Sequence, residues 1–189
     1  IDPSRSWSSD EVWDTANRIA HLARAATRGG KRRVAVFAEN AGESVVAHLG
    51  GLRSGASVVA VNSHLAAPEA AYQLATGDVA LLIAGPATAE RAREAAATTG
   101  NCEVRAWDDA DWGPWLASAP SGPPPDDVAI IPNLLFTSGT TGTPKATHLP
   151  PNVFPPRATW AEFVDATQAN RFVGLGRHLV VAPLHHTGP

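Results

Sequence analysis

The sequence predicts an α/β fold, a mostly parallel sheet with helices on both faces. Two observations carry this. Short apolar runs of strand length alternate with segments whose apolar residues recur at helical intervals. Alternation at this spacing is the pattern of strands joined by crossover helices. The chain has 189 residues, 44% of them hydrophobic, enough for one well-filled core. No internal repeat is present.

The elements follow in order. Ser8-Ser9-Asp10-Glu11 has capping-box spacing, and Val12, Ala16, Ile19, Ala20 and Ala23 then repeat as a helix face, stopped by Gly29-Gly30. Val34 to Ala38 reads as a buried strand. Val45, Val46, Leu49 and Leu52 form the apolar face of a second helix, ended by Gly55. Val58 to Val61 is a strand, and Pro68 suits the first turn of a helix that runs to about Thr76. Val79 to Ala84 is a strand, Glu90 to Ala97 a helix, and Val104 to Trp107 a further strand. Ala117 to Asp127 is rich in Pro and Gly and separates a first section, 1–116, from a second, 128–189. There Leu134-Leu135-Phe136 is a strand running straight into Thr137-Ser138-Gly139. Four prolines between Leu149 and Pro156 delay any helix until after Pro156. Leu179 to Ala182 reads as a last strand.

Bulk properties exclude several function classes. A net charge of -3 offers no field for nucleic acid. Lys31-Arg32-Arg33 directly precedes an apolar run and reads as a solvated strand edge; Asp108-Asp109-Asp111 and Asp126-Asp127 read as solvated loop. Cys102 is alone, so no internal disulfide forms. The longest apolar run, Val79 to Ala84, is too short for a membrane span or a signal sequence. A cytoplasmic protein is expected. The sequence opens at Ile1 and holds no methionine, which reads as a trimmed end.

The chemistry concentrates in Thr137-Ser138-Gly139-Thr140-Thr141-Gly142-Thr143-Pro144-Lys145. Gly139 and Gly142 let the backbone approach an anion and adopt positive φ. Successive N–H groups in such a turn form an anion-binding nest. Ser138, Thr137, Thr140, Thr141 and Thr143 add hydroxyl donors, and Lys145 adds a full charge. The strand before it fixes the loop at a sheet edge, where open α/β folds bind ligands. It is not a Walker A loop, because Thr143-Pro144 separates Gly142 from the lysine and Ala146 follows it. The plain alternative is a polar surface turn.

Leu135-Phe136-Thr137 through Lys145 resembles the phosphate-loop signature of the adenylate-forming superfamily: AMP-forming acyl-CoA synthetases, luciferases and the adenylation domains of peptide synthetases. Asn17-Arg18-Ile19-Ala20 and Val34-Ala35-Val36 resemble the family's opening helix and first strand. Leu52-Arg53-Ser54-Gly55-Ala56 with Val61-Asn62 resembles its turn before a strand and loop. Gly142-Thr143-Pro144-Lys145 followed by His148-Leu149-Pro150-Pro151 is most similar to bacterial fatty-acyl-CoA synthetases. Ala146 departs from the family, which usually has Gly there.

The resemblance implies that the chain is part of the large N-terminal domain of an adenylate-forming enzyme, 1–189 being partial and the C-terminal domain absent. It implies a ligase that activates a carboxylic, fatty acid with ATP and Mg²⁺ to an acyl-adenylate, then transfers the acyl group to coenzyme A. Thr137, Ser138, Gly139, Thr140, Thr141, Gly142, Thr143 and Lys145 would grip the β and γ phosphates. The adenine- and ribose-binding motifs, an acidic Mg²⁺ ligand and the lysine of adenylation would lie beyond this chain. No catalytic set is therefore complete in it, and the chain alone is expected to be inactive. Two alternatives stay open: an adenylation enzyme that loads a carrier protein, and a non-catalytic nucleotide-binding fragment.

Pro183-Leu184-His185-His186-Thr187-Gly188 resembles the family segment in which a histidine lines the acyl pocket. His186 matches that histidine, and His185 stands where many members have an aromatic. An ordinary loop histidine and a metal ligand are the other readings of His186. Adjacent histidines on a strand point to opposite faces, and no Cys or acidic residue is near in sequence, so no metal site is expected. His48 and His64 have no assigned role. Trp107, Trp112 and Trp115 read as cover for the core.

Overall fold

The computed structural model describes residues 5–28, 32–137, 144–151, 154, 157–168, 176 and 182–186. The order of elements is α1 (Ser9–Ala26), β1 (Arg33–Phe37), α2 (Gly42–Arg53), β2 (Val58–Val61), α3 (Ala67–Thr76), β3 (Val79–Ala84), α4 (Ala89–Thr99), β4 (Glu103–Ala106), α5 (Trp112–Ala117), β5 (Leu134–Thr137), β6 (Lys145–His148) and α6 (Trp160–Gln168). The strands form one sheet in the order β4-β3-β1-β2-β5-β6. Every pairing is parallel except β5 with β6. This is the mostly parallel α/β sheet that the sequence predicts.

The faces follow from the handedness of the crossovers. The chain leaves β1 toward β2 through α2, then returns from β2 past β1 to β3 through α3. Right-handed connections running in opposite directions must lie on opposite faces. Accordingly Val34, Val36, Val58, Leu81 and Ile83 pack with Ile19 of α1 and Val46 of α2. Their strand neighbours Ala35, Phe37, Val59, Leu82 and Ala84 pack with Leu74 of α3 and Ala92 of α4. Successive strand residues thus fill alternate cores.

The local signals work as the sequence suggests. Ser8 Oγ accepts the Glu11 N–H at 3.2 Å and Glu11 accepts the Ser8 N–H at 2.8 Å, so the capping box is complete. Pro68 lies in the first turn of α3. Gly100, at φ +75°, ends α4 in the left-handed conformation. Gly55 combines φ +80° with an approach of Val128 Cγ2 to 2.6 Å from where a Cβ would stand, so only glycine fits this turn. Gly29 and Gly30 lie outside the described residues, as do Lys31 and positions 179–181 of the expected last strand.

The apolar face of α2 is the expected one at Val46, which is buried, and at Leu49 and Leu52, which pack against the same core, but not at Val45. Val45 is 49% exposed, while Ser44, Val46, Ala47, Gly50 and Gly51 are buried. The helix turns its smallest residues to the sheet. A Cβ on Gly51 would lie 2.7 Å from Val58 Cγ2, so the missing side chain sets how closely α2 approaches β2. Helix α5 and the antiparallel strand β6 are also not anticipated. Both are short: α5 is held by Trp112, Trp115 and Leu116 against the α1/α2 core, and the exposed β6 by its ladder with β5. Trp107, Trp112 and Trp115 are partly buried against the α1/α2 face, as the sequence reading has it.

Charged residues that read as solvated turn out to staple loops. Arg32 pairs with Asp78 at 2.9 Å and donates to the carbonyls of Val79 and Asn101. Arg33 donates to Gly77 O. Asp109 pairs with Arg93, and Asp111 with Arg105. Asp126 accepts the N–H groups of Trp160 and Ala161 at 2.5 and 3.2 Å, capping α6 from a distant loop. Arg53 lies over the rings of Trp160 and Trp13, 4.8 and 5.5 Å from their centroids. The Pro/Gly-rich stretch is laid along α1, where Asn17 and Arg18 donate to the carbonyls of Ser121 and Ala119 and His21 bonds Gly122 O.

Two predictions follow from this packing. Gly51→Val should destabilise the fold by about 1–3 kcal/mol through overpacking, whereas Val45→Lys should change stability by less than about 0.5 kcal/mol, both read from urea midpoints. The second concerns His48. Its Nδ1 is 2.8 Å from Ser44 O and therefore donates, and its Nε2 is buried with no hydrogen-bond partner. Desolvation holds its pKa below the usual histidine value, against the opposing pull of the Ser44 carbonyl. The unfolded chain then binds the proton more readily than the folded one. Stability should be full above the ordinary histidine pKa of about 6.5 and fall as pH drops below it. Thermal unfolding of the wild type and His48→Gln between about pH 7 and pH 5 should show a smaller loss in the variant; parallel losses would refute the assignment.

Candidate functional site

The polar loop starts and ends on a β-hairpin. β5 and β6 pair antiparallel, with Leu134 opposite His148, Leu135 opposite Thr147, Phe136 opposite Ala146 and Thr137 opposite Lys145. Thr137 and Lys145, the first and last predicted phosphate ligands, are therefore direct cross-strand neighbours, both exposed. Thr137 Oγ1 donates to Lys145 O at 3.4 Å. Ser138, Gly139, Thr140, Thr141, Gly142 and Thr143 lie outside the described residues. Ala146 sits in the ladder and is not among the residues at positive φ, so its methyl group meets no backbone penalty.

The hairpin hangs from the sheet by its base. β5 meets β2 in parallel at a single register position, Leu134 opposite Val59. Leu134 is buried, and Ser57 Oγ donates to Pro132 O at 2.7 Å just before it. Because β5 runs parallel to β2, its end points to the carboxyl edge of the sheet, the ligand edge of open α/β folds. Farther out, Phe136 is partly buried against the α3/α4 core. Its ring meets the edge of Tyr72, with centroids 6.5 Å apart and planes at 71°. The Tyr72 hydroxyl donates to Pro144 O at 3.1 Å.

The second predicted segment reaches the same edge. Asn40, just after β1, donates from Nδ2 to Ala182 O at 2.9 Å and accepts the Leu184 N–H on Oδ1 at 2.8 Å. One side-chain amide thus grips both sides of the segment. His186 N–H donates to Pro183 O at 3.0 Å, so Pro183 to His186 form a turn. The opposite-faces expectation for adjacent strand histidines does not apply there. His185 is half-buried. Desolvation first, then the nearby charges of His186 and His64, lower its pKa from the usual value. His64 lies in the loop after β2, with its N–H on Asn62 Oδ1.

The structure therefore anchors the His185–His186 segment through Asn40 at the carboxyl edge of the sheet, where His64 follows β2. The sequence reading missed Asn40, His64 and Tyr72. The signal available for the first two was position: each lies within a few residues after a parallel strand. Tyr72 carried none, because its partner is a backbone carbonyl. Among the described residues no group of three or more His, Cys, Asp or Glu side chains could hold a metal ion, and no helix is long and apolar enough to cross a membrane.

Comparison with known proteins is consistent across sequence and structure. The family model for AMP-binding enzymes matches residues 1–187. The long-chain-fatty-acid–CoA ligase FadD13 of Mycobacterium tuberculosis is 31% identical over 165 residues, covering 84% of this chain and 32% of that protein. Tyrocidine synthase 3 of Brevibacillus parabrevis is 30% identical over 147 residues, 77% of this chain and 2% of that one. The chain thus spans a third or less of these relatives. Among solved structures, the inhibitor-bound N-terminal domain of FACL13 from Mycobacterium tuberculosis superposes with a TM-score of 0.64 at 25% identity, covering 79% of this chain and 39% of that one. With its parallel sheet, its strand-to-loop hairpin and a family match over nearly its full length, the chain belongs to the AMP-binding enzyme family, the adenylate-forming superfamily, and corresponds to the N-terminal region of its members.

Proposed function

We propose that this chain is the polyphosphate-gripping portion of an AMP-forming acid–CoA ligase. The observation that carries the reading is the hairpin: it sets Thr137 opposite Lys145 at the carboxyl edge of the sheet, at the two ends of a Ser/Thr/Gly run. Backbone N–H groups and hydroxyls of residues 137–143 would hold the β and γ phosphates of ATP, and Lys145 would offset their charge. The substrate carboxylate attacks the α phosphorus and pyrophosphate leaves. Holding the leaving phosphates is therefore a contribution of position and charge. Mg²⁺, bound by the phosphates, would spread the charge that develops on them. The described part of the chain supplies no cluster of acidic or histidine ligands for it.

The turn carrying His185 and His186 would form part of the wall around the acid. A fatty acid is the proposed substrate class, on the similarity to a long-chain-fatty-acid–CoA ligase. Transfer to coenzyme A and a cytoplasmic location belong to the same proposal. Transfer to a carrier protein is the second reading, favoured by the comparable similarity to tyrocidine synthase 3 and to an isonitrile lipopeptide synthase of Mycobacterium tuberculosis, 32% identical over 136 residues.

Calorimetry with ATP and Mg²⁺ tests the grip. The chain should bind, and Lys145→Ala should weaken binding about 10- to 100-fold, the worth of one charge-assisted hydrogen bond. Gly142→Val should weaken it too. Absence of binding by the wild type would overturn the polyphosphate reading. Pyrophosphate release with ATP, Mg²⁺ and a panel of acids should be undetectable from this chain alone, and robust turnover would show that it needs no further groups.

A further inference from the structure

The geometry points to Tyr72 as a positioning residue for the polyphosphate loop, acting as a tether between α3 and the loop's exit; this rests on the reading of residues 137–145 as a phosphate grip. The hairpin joins the sheet at Leu134 opposite Val59. Its tip at Thr137 and Lys145 stands about 10 Å beyond that point, at roughly 3.3 Å per residue. A ribbon of two short strands is marginally stable by itself. Fixed only at its base, it would let Thr137 and Lys145 swing together.

Tyr72 closes this hinge from the other side. It projects from α3 with 40% of its surface exposed, so core filling does not account for it. Its ring meets Phe136 on β5 edge-on, and its hydroxyl donates to Pro144 O at 3.1 Å. One side chain therefore touches the strand that enters the loop and the residue that leaves it. The carbonyl of Pro144 and the N–H of Lys145 belong to one planar peptide unit. Holding that carbonyl fixes the direction in which the Lys145 backbone, and so its side chain, sets out. Pro144 adds stiffness, since its own φ is locked. The exit of the loop is then defined by the β5–β6 ladder, by proline and by the phenol. Charge stabilisation of a phosphate depends steeply on such placement.

Two variants separate the hydroxyl from the ring. Tyr72→Phe keeps the edge contact with Phe136 and loses only the hydrogen bond; Tyr72→Ala loses both. The probe is inorganic tripolyphosphate with Mg²⁺, which has the charge of the nucleotide tail and no base. Calorimetry should show Tyr72→Phe binding it about 3- to 10-fold more weakly than the wild type, the worth of one neutral hydrogen bond, with an unchanged thermal midpoint. Tyr72→Ala should be weaker still. Tyr72 is the only tyrosine in the chain, so ring-labelled protein gives one tyrosine signal, which should shift when tripolyphosphate is added. Equal affinity of wild type and Tyr72→Phe would overturn the proposal. If the wild type binds no tripolyphosphate, the phosphate reading fails, and hydrogen exchange then decides the tether: faster exchange of the β6 amides in Tyr72→Phe, with β1 unchanged, supports it, and identical exchange overturns it.

Discussion

The β5–β6 hairpin owes its direction to a buried leucine opposite a buried valine. Leu134 and Val59 share the α3/α4 core, and a shift by one residue would turn Leu134 to the other face and Leu135 inward. The tip of the hairpin would then shift by about 3.3 Å along the strand, and Thr137 and Lys145 would exchange faces. Ser57, through Pro132 O, secures the approach to β5, and Gly55 makes room for Val128. The placement of the polar loop is thus decided some distance away, at the root of the strand that feeds it.

The same logic governs the helices. The sheet can receive a hairpin beside β2 because the earlier crossovers have already covered both faces, α1 and α2 on one and α3 and α4 on the other. The helices come close because they present small residues. Ala16, Ala20, Ala23, Ala47, Ala70, Ala92 and Ala95 are all essentially buried. Close approach brings Tyr72 of α3 within reach of the hairpin. It also leaves no slack: added bulk on these faces would push the helix away from the strands it braces.

This explains which parts of the molecule were legible in the sequence. Strands β1, β2 and β3 were, because parallel strands buried on both faces must be apolar throughout. The first helix was, because a capping box is local chemistry. The face of α2 was legible at Val46, Leu49 and Leu52 but not at Val45, because a search for large apolar residues passes over Gly50 and Gly51, whose smallness is the reason they face inward. Helix α5 lacked a periodic pattern at six residues. The polar run from Thr137 to Lys145 stands out by residue type, and the structure describes its two ends. The supports do not stand out, because Asn40 and Tyr72 act on backbone carbonyls and N–H groups, and a partner of that kind leaves no trace in residue type.

The two anchors also suit the different chemistries proposed for the segments they hold. Tyr72 fastens a hairpin whose exposed end carries a lysine, open to water as an approaching anion requires. Asn40 fastens a turn whose half-buried His185 has its pKa lowered, by desolvation first. The same burial that disfavours a charged imidazole suits an apolar neighbour. Charge would then be concentrated on the hairpin and withheld from the turn. That division would orient an acid with its carboxylate toward the nucleotide and its apolar part along the histidines.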